Sequence, residues 1–137
     1  MSDRCFVDTN VFVRYLTGDD PIKADAVREL LLKARNGDLT LVANEIVVAE
    51  LVWVLKSYYE QPDDVIASLI DAILNTDGLL IENEETLRAS LKIFSEQKVD
   101  FIDAYIIATM RAKGIHKLYS FDKKHMARFD DISLLTP

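Results

Sequence analysis

The sequence predicts an α/β fold built on parallel strands, and three observations carry that prediction. Short apolar runs of strand length alternate with longer stretches whose apolar residues recur at helical spacing. The four glycines and Pro21 and Pro62 fall at the boundaries of those stretches. The chain has 137 residues, 50% hydrophobic and 28% charged, which is the size and composition of one globular domain, expected to span residues 1–137. A domain of that length buries roughly 68–70% of its unfolded surface and needs no staples to hold a core.

The elements follow in order. Residues 4–8 read as a short buried strand and residues 10–16 as a brief helix closed by Gly18. Pro21 opens a longer helix over 21–36, with Ala24, Val27, Leu30, Leu31 and Ala34 on one face, and Gly37 stops it. Residues 39–43 form a second strand. Asn44 caps an apolar helix reaching about Tyr58, and Pro62 opens another over 62–74, with Val65, Ile66, Leu69, Ile70 and Ile73 at helical spacing. Residues 79–81 give a third strand, and Asn83 caps a helix to Gln97. Asp100 opens a helix to Lys113, stopped by Gly114. Residues 117–121 make a fourth strand, then come a turn of helix and a fifth strand at 132–135. In open parallel sheets of this kind a ligand crevice lies outside the carboxyl ends of the strands.

Composition excludes several classes. The net charge of −7, from 16 Lys+Arg against 23 Asp+Glu, counts against a simple nucleic-acid-binding module, which would lean basic. One stretch runs the other way: residues 111–128 hold six basic side chains against one acid, Asp122. The single cysteine, Cys5, rules out an internal disulfide framework; read as part of a strand, it is expected to be a small core residue. One Cys with two His leaves no thiolate or histidine zinc cage, and a reducing, cytoplasmic setting is expected. No apolar run reaches 18 residues, so no membrane span is expected, and the acidic start MSDRCFVDTN does not read as a signal peptide. His116 and His125 sit near Asp122 in sequence and could touch RNA, but read first as exposed loop residues.

The acids carry the functional signal. Asp8 ends the first strand and Asp122 the fourth. Glu50 is the one polar side chain in IVVAELVWVL (46–55), flanked at helical spacing by Ile46, Val47, Trp53 and Val54, and so is expected to be buried without a base. Asp103 repeats the pattern in an apolar helix, three residues after Asp100 and on the same face. Each has a plainer reading as well. Asp8, Asp100 and Asp122 can cap helices, and Glu50 can pair with a distant Lys or Arg. Taken together, acids at one edge of a sheet and one more in an apolar helix suggest a carboxylate cluster, with Asp8 and Asp122 at adjacent strand ends and Glu50 and Asp103 reaching the same crevice.

Clustered carboxylates repel one another unless a cation or a proton joins them. Oxygen ligands without Cys or His select a hard cation, Mg²⁺ or Mn²⁺, which keeps waters and meets substrate phosphates. Such an ion can position and deprotonate a water for in-line attack on phosphorus. An acidic protein can then act on nucleic acid, because the metal bridges carboxylate to phosphate.

These residues resemble the PIN domain, and within it the VapC-type toxins of toxin–antitoxin pairs. The pieces are Val7-Asp8-Thr9-Asn10, Ala49-Glu50-Leu51, Asp100-Phe101-Ile102-Asp103-Ala104 with Ile106-Ile107-Ala108, and Ser120-Phe121-Asp122-Lys123-Lys124. The resemblance spans nearly the whole chain. It implies a three-layer α/β/α domain around a mostly parallel sheet of four to five strands, and Mg²⁺- or Mn²⁺-dependent endoribonuclease activity. Carried over position by position, the acidic quartet that holds metal and performs catalysis is Asp8, Glu50, Asp103 and Asp122. Asp100 matches a further acid often seen in the family, and Thr9 and Ser120 match hydroxyls that hydrogen-bond the carboxylates. Lys123 and Lys124 would lie on the substrate rim. The resemblance also implies an RNA substrate, a homodimer and a VapB-like antitoxin whose tail covers the site.

Two other functions compete with that reading. A metal-dependent phosphatase or phosphoacceptor domain also gathers acids at strand ends, but those chemistries call for a second Asp two residues after the first, where this chain has Asn10. A non-catalytic RNA- or protein-binding domain on the same fold would not need an intact quartet.

Overall fold

A computed structural model of the chain describes residues 3–137. By its contacts the chain forms two compact units, one ending at Glu85 and one beginning at Thr86. The first contains β1 (Asp3–Phe6), α1 (Thr9–Thr17), α2 (Pro21–Arg35), β2 (Leu39–Ala43), α3 (Glu45–Ser57), α4 (Asp63–Leu74) and β3 (Leu79–Ile81). Its strands form one parallel sheet in the order β1-β2-β3, with Cys5 opposite Leu41 and Leu41 opposite Leu79. Parallel neighbours need long crossovers, and the helix pairs α1–α2 and α3–α4 supply them. Phe12, Leu41, Leu51, Leu55, Ile66, Ile70 and Ile73 are fully buried and make the core.

Local chemistry sets the joints. Pro21 opens α2, and the Asp20 carboxylate accepts from the Lys23 N–H at 3.2 Å. The Asn44 side chain caps α3 by accepting from the Val47 N–H at 3.1 Å. Gly78 enters β3 with φ +84°, and a Cβ there would stand 2.3 Å from the Ala34 carbonyl oxygen. Only glycine allows the end of α2 to pass that close.

The second unit holds the rest of α5 (Glu84–Gln97), then α6 (Phe101–Lys113), β4 (Lys117–Tyr119), α7 (Lys123–Met126) and β5 (Ser133–Leu135). Leu87, Phe94, Val99 and Ile107 are its fully buried large residues, and Phe94 meets Phe101 edge-to-face at 6.0 Å between centroids. Gly114 stops α6 in the left-handed conformation, φ 66°. Strands β4 and β5 pair in parallel, with Leu118 opposite Leu134. The Arg111 guanidinium grips Asp131 with two bonds of 2.8 and 3.0 Å and lies over the Phe129 ring. Arg128 donates to the Gln97 carbonyl.

Among the described residues the order of five strands and seven helices follows the reading from sequence, with corrections at β1 and at Asn83. The pairing is parallel throughout, as expected: β1-β2-β3 in the first unit and β4-β5 in the second. The connection between β4 and β5 holds one four-residue helix, so these short strands meet locally. Strand β1 is exposed throughout, including Cys5, because its sequence DRCF offers no apolar alternation; the buried residue is Val7, just past the strand. Asn83 does not sit in the extended conformation of a helix cap; it is left-handed, φ 59°, which Asn tolerates better than most residues. Among the described residues no helix is long and apolar enough to cross a membrane.

Candidate active site: two sets of acids

In the first unit Asp8 lies two residues past β1 and caps α1. Its backbone is extended (φ −78°, ψ 155°), and its carboxylate accepts from the Thr9 N–H at 2.7 Å. Thr9 thus meets the carboxylate through its amide. Its buried hydroxyl turns to the Val47 carbonyl at 3.5 Å, the outer reach of a hydrogen bond, and ties α1 to α3.

Glu50 corrects the sequence reading. It is exposed, not buried among apolar neighbours. Helix α3 buries Val47, Val48, Leu51, Val52 and Leu55, and turns Ile46, Glu50 and Trp53 outward at spacings of four and three. The helix is apolar on both sides, so composition alone could not say which side carried the acid. Glu50 borders an open cavity between α1 and the end of α3.

The second unit gathers three acids and a histidine. Asp100 occupies the cap position of α6 (φ −60°, ψ 149°), yet its side chain makes no capping bond, so the plain capping role is not taken up. Asp103, one turn on, is half-buried. Burial is the main cause pushing its carboxyl above the ordinary range; the charges of Asp100 and then Asp122 add to it, and His125 works against them.

Asp122, three residues past β4, caps α7 by accepting from the His125 N–H at 3.2 Å, and its carboxylate meets the His125 Nδ1 at 3.1 Å. Those bonds, the backbone one first, hold its carboxyl below the ordinary range. The Ser120 hydroxyl accepts from the Asp122 N–H at 3.0 Å, and so fixes the backbone of Asp122, not its carboxylate. Lys123 and Lys124 follow, both exposed.

His125 is the residue that sequence reasoning undervalued. It is half-buried and paired with Asp122, whereas His116 is exposed as expected. The spacing of three between Asp122 and His125, at the start of a helical turn, was the available signal.

Among the described residues no three His, Cys, Asp or Glu side chains stand together as a metal cage. The donor chemistry of the second unit nevertheless fits a hard cation. Mg²⁺ is commonly held through one or two carboxylates and keeps its remaining waters. Asp100 has an uncommitted capping carboxylate, and Asp103 lies among like charges that a cation would offset.

Parallel strands, helical crossovers and carboxylates placed just beyond strand ends define an α/β domain with acids in each unit. More particularly, the PIN domain family model matches residues 5–132, and the chain belongs to that family. A curated relative, a VapC ribonuclease of Aquifex aeolicus (strain VF5), is 24% identical over 119 residues, covering 86% of this chain and 87% of its own. Two solved structures are similar at 18% identity. One is VapBC2 from Rickettsia felis bound to a DNA fragment from their promoter, with a TM-score of 0.41 over 97% of this chain and 98% of that one. The other is Mycobacterium tuberculosis VapC20, a sarcin-ricin loop cleaving toxin, with a TM-score of 0.42 over 93% of this chain and 98% of that one.

Proposed function

We propose that this chain is a Mg²⁺- or Mn²⁺-dependent endoribonuclease and the toxin of a toxin–antitoxin pair, acting in the cytoplasm as a homodimer and restrained by a VapB-like antitoxin. The observation that carries the reading is the group of Asp100, Asp103 and Asp122 in a chain of the PIN family, with Asp103 half-buried among like charges. The curated ribonuclease relative supports the same reaction.

Asp103 and Asp122 are the metal-holding acids of the second unit, with Asp100 beside them, and Asp8 and Glu50 are the acids of the first on which activity depends. When bound, the cation supplies charge neutralisation at the phosphate and activation of water. The protein's own part is positional. Asp122 is fixed by Ser120 and His125, and Asp8 by the Thr9 amide, so neither carboxylate must be ordered at the moment of binding. Lys123 and Lys124 give the RNA backbone a local attraction that the net charge of −7 denies it elsewhere.

The test is incubation of single-stranded RNA with the full chain and Mn²⁺, with and without a chelator, beside a thermal-shift measurement. Cleavage that the chelator stops, and a stabilisation by Mn²⁺ that Asp103→Asn largely removes, is the expected result. Cleavage that persists in the chelator would remove the metal from the reading. RNA bound but never cut would favour a non-catalytic binding domain.

A further inference from the structure

The cavity beside Glu50 has a volume of about 320 Å³ and is walled by Asn10, Arg14, Asp19, Glu50, Tyr58 and Tyr59. Part of that wall is locked. Asp19 accepts from the Tyr59 hydroxyl at 2.7 Å, from the Thr17 hydroxyl at 2.9 Å and from the Arg14 Nη1 at 3.3 Å. The Tyr59 bond is the main cause holding the Asp19 carboxyl below its ordinary range, and in return Asp19 pushes the Tyr59 phenol up. At neutral pH, therefore, Asp19 stays ionised and Tyr59 stays a donor.

Anchored Tyr59 in turn meets Tyr58 edge-to-face, 4.9 Å between centroids, and Tyr58 is 76% exposed. Tyr58 thus lines the cavity with an exposed ring that a second ring braces. Arg14, oriented by Asp19, has used one of its five donors there; its Nε–H is buried without a partner, so its terminal nitrogens are what it offers a ligand.

The charge of the wall decides what enters. One cation, Arg14, stands against two anions, Asp19 and Glu50. A phosphate would be repelled, so the neutral part of a nucleotide is the part that fits. The volume lies near the lower end for small-molecule sites and suits one base with its sugar. Single-stranded RNA is read through such unstacked bases, laid on aromatic rings and hydrogen-bonded at their edges. Guanine pairs two acceptors, O6 and N7, which suit an arginine fork, with N–H donors that suit the Asn10 carbonyl.

We infer that this cavity takes one unstacked guanine of the RNA, stacked on Tyr58 and read by Arg14 and Asn10, and so sets the base preference of cleavage. The inference rests on the endoribonuclease reading for its biological use, though binding of the base can be measured without it.

Two measurements test it. A randomised single-stranded RNA pool is cut with the full chain and Mn²⁺ and the product ends are sequenced. Guanine is expected at one fixed position from the cut, and Tyr58→Ala and Arg14→Lys should flatten that preference while Tyr58→Phe keeps it. Separately, without metal, 5′-GMP, 5′-AMP, 5′-CMP and 5′-UMP are titrated by calorimetry. GMP should bind best, and Tyr58→Ala should weaken it by about tenfold, the scale of one lost base–aromatic stack. Tyr58 is exposed, so its loss leaves the fold intact, which a thermal melt verifies. Cleavage with a base preference indifferent to Tyr58 and Arg14 overturns the inference and leaves the nuclease standing. GMP binding through Tyr58 without any RNA cleavage upholds the pocket and overturns the nuclease. A short arginine-containing peptide that binds there when no mononucleotide does assigns the cavity to a protein partner and overturns the inference.

Discussion

Helices α3 and α6 invite comparison: each has 13 residues, each is dominated by apolar side chains, and each carries an acid embedded among them. From sequence Glu50 and Asp103 look alike. In the fold they differ. Glu50 lies on the exposed side of α3 in line with Ile46 and Trp53, whereas Asp103 is half-buried near the start of α6 and faces the charges of Asp100 and Asp122. The acid in α3 is surrounded in sequence by apolar residues that mostly face away from it. The acid in α6 is surrounded in space by charge. What perturbs a carboxylate is the dielectric and the charges it faces, and one helix's composition reports neither.

The largest effect expected from this difference is on activity. If the chain is the metal-dependent ribonuclease proposed, Asp103→Asn should lower RNA cleavage at least about 100-fold, the upper range for weakening a metal site's support, because on that proposal a ligand itself is lost. Single-turnover assays at saturating Mn²⁺ check it, and near-parental cleavage would return Asp103 to a structural role. Next come the buried faces, where the two helices should behave alike. Leu51→Ala on α3 and Ile107→Ala on α6 should each cost about 2–5 kcal/mol in urea unfolding. A much smaller cost for either would mean that its helix is not anchored as its burial implies.

Stability should then separate the acids. Asp103→Asn removes a charge that its surroundings disfavour, so the metal-free protein should be as stable as the parent or more so. Glu50→Gln, on an exposed face, should leave stability alone. The pH dependence sharpens the contrast. Asp103 has a raised value in the folded state, so the folded chain holds that proton longer than the unfolded chain. Its destabilising contribution is absent below the ordinary value of 3.8 and grows as pH rises through the raised one. Asp122, lowered by His125, behaves oppositely: its stabilising contribution is present above 3.8 and is lost as pH falls through the lowered value. Carboxyl NMR on acidification from pH 7 should therefore show Asp103 taking its proton before Asp122, and the reverse order would break the comparison. The smallest effect is at Trp53, which is 66% exposed. Trp53→Gln should change unfolding free energy by no more than about 0.5 kcal/mol, as surface substitutions do.

Most of the fold was legible because its signals are local. Strand and helix boundaries sit where Pro21, Asn44 and Gly114 place them, and each residue acts through its own backbone or its neighbours' N–H groups. At the site, the caps at Asp8 and Asp122 were visible as an alternative from the outset, and both are realised. The exposure of Glu50 was not, since α3 is apolar on two faces. The Arg14–Asp19–Tyr59 arrangement was hidden as well: its closing bond spans 40 residues, and no periodicity reports a contact at that distance.

Cys5, exposed on β1 and without a second cysteine in the chain, has a practical consequence. A maleimide dye or spin label will attach at one defined place, giving a reporter without background from other thiols. The same thiol is a hazard in air, because two copies can join through it and migrate as a covalent pair. Sizing experiments on this protein should be run with reductant, or with Cys5→Ser, so that an oxidation artefact is not mistaken for native assembly.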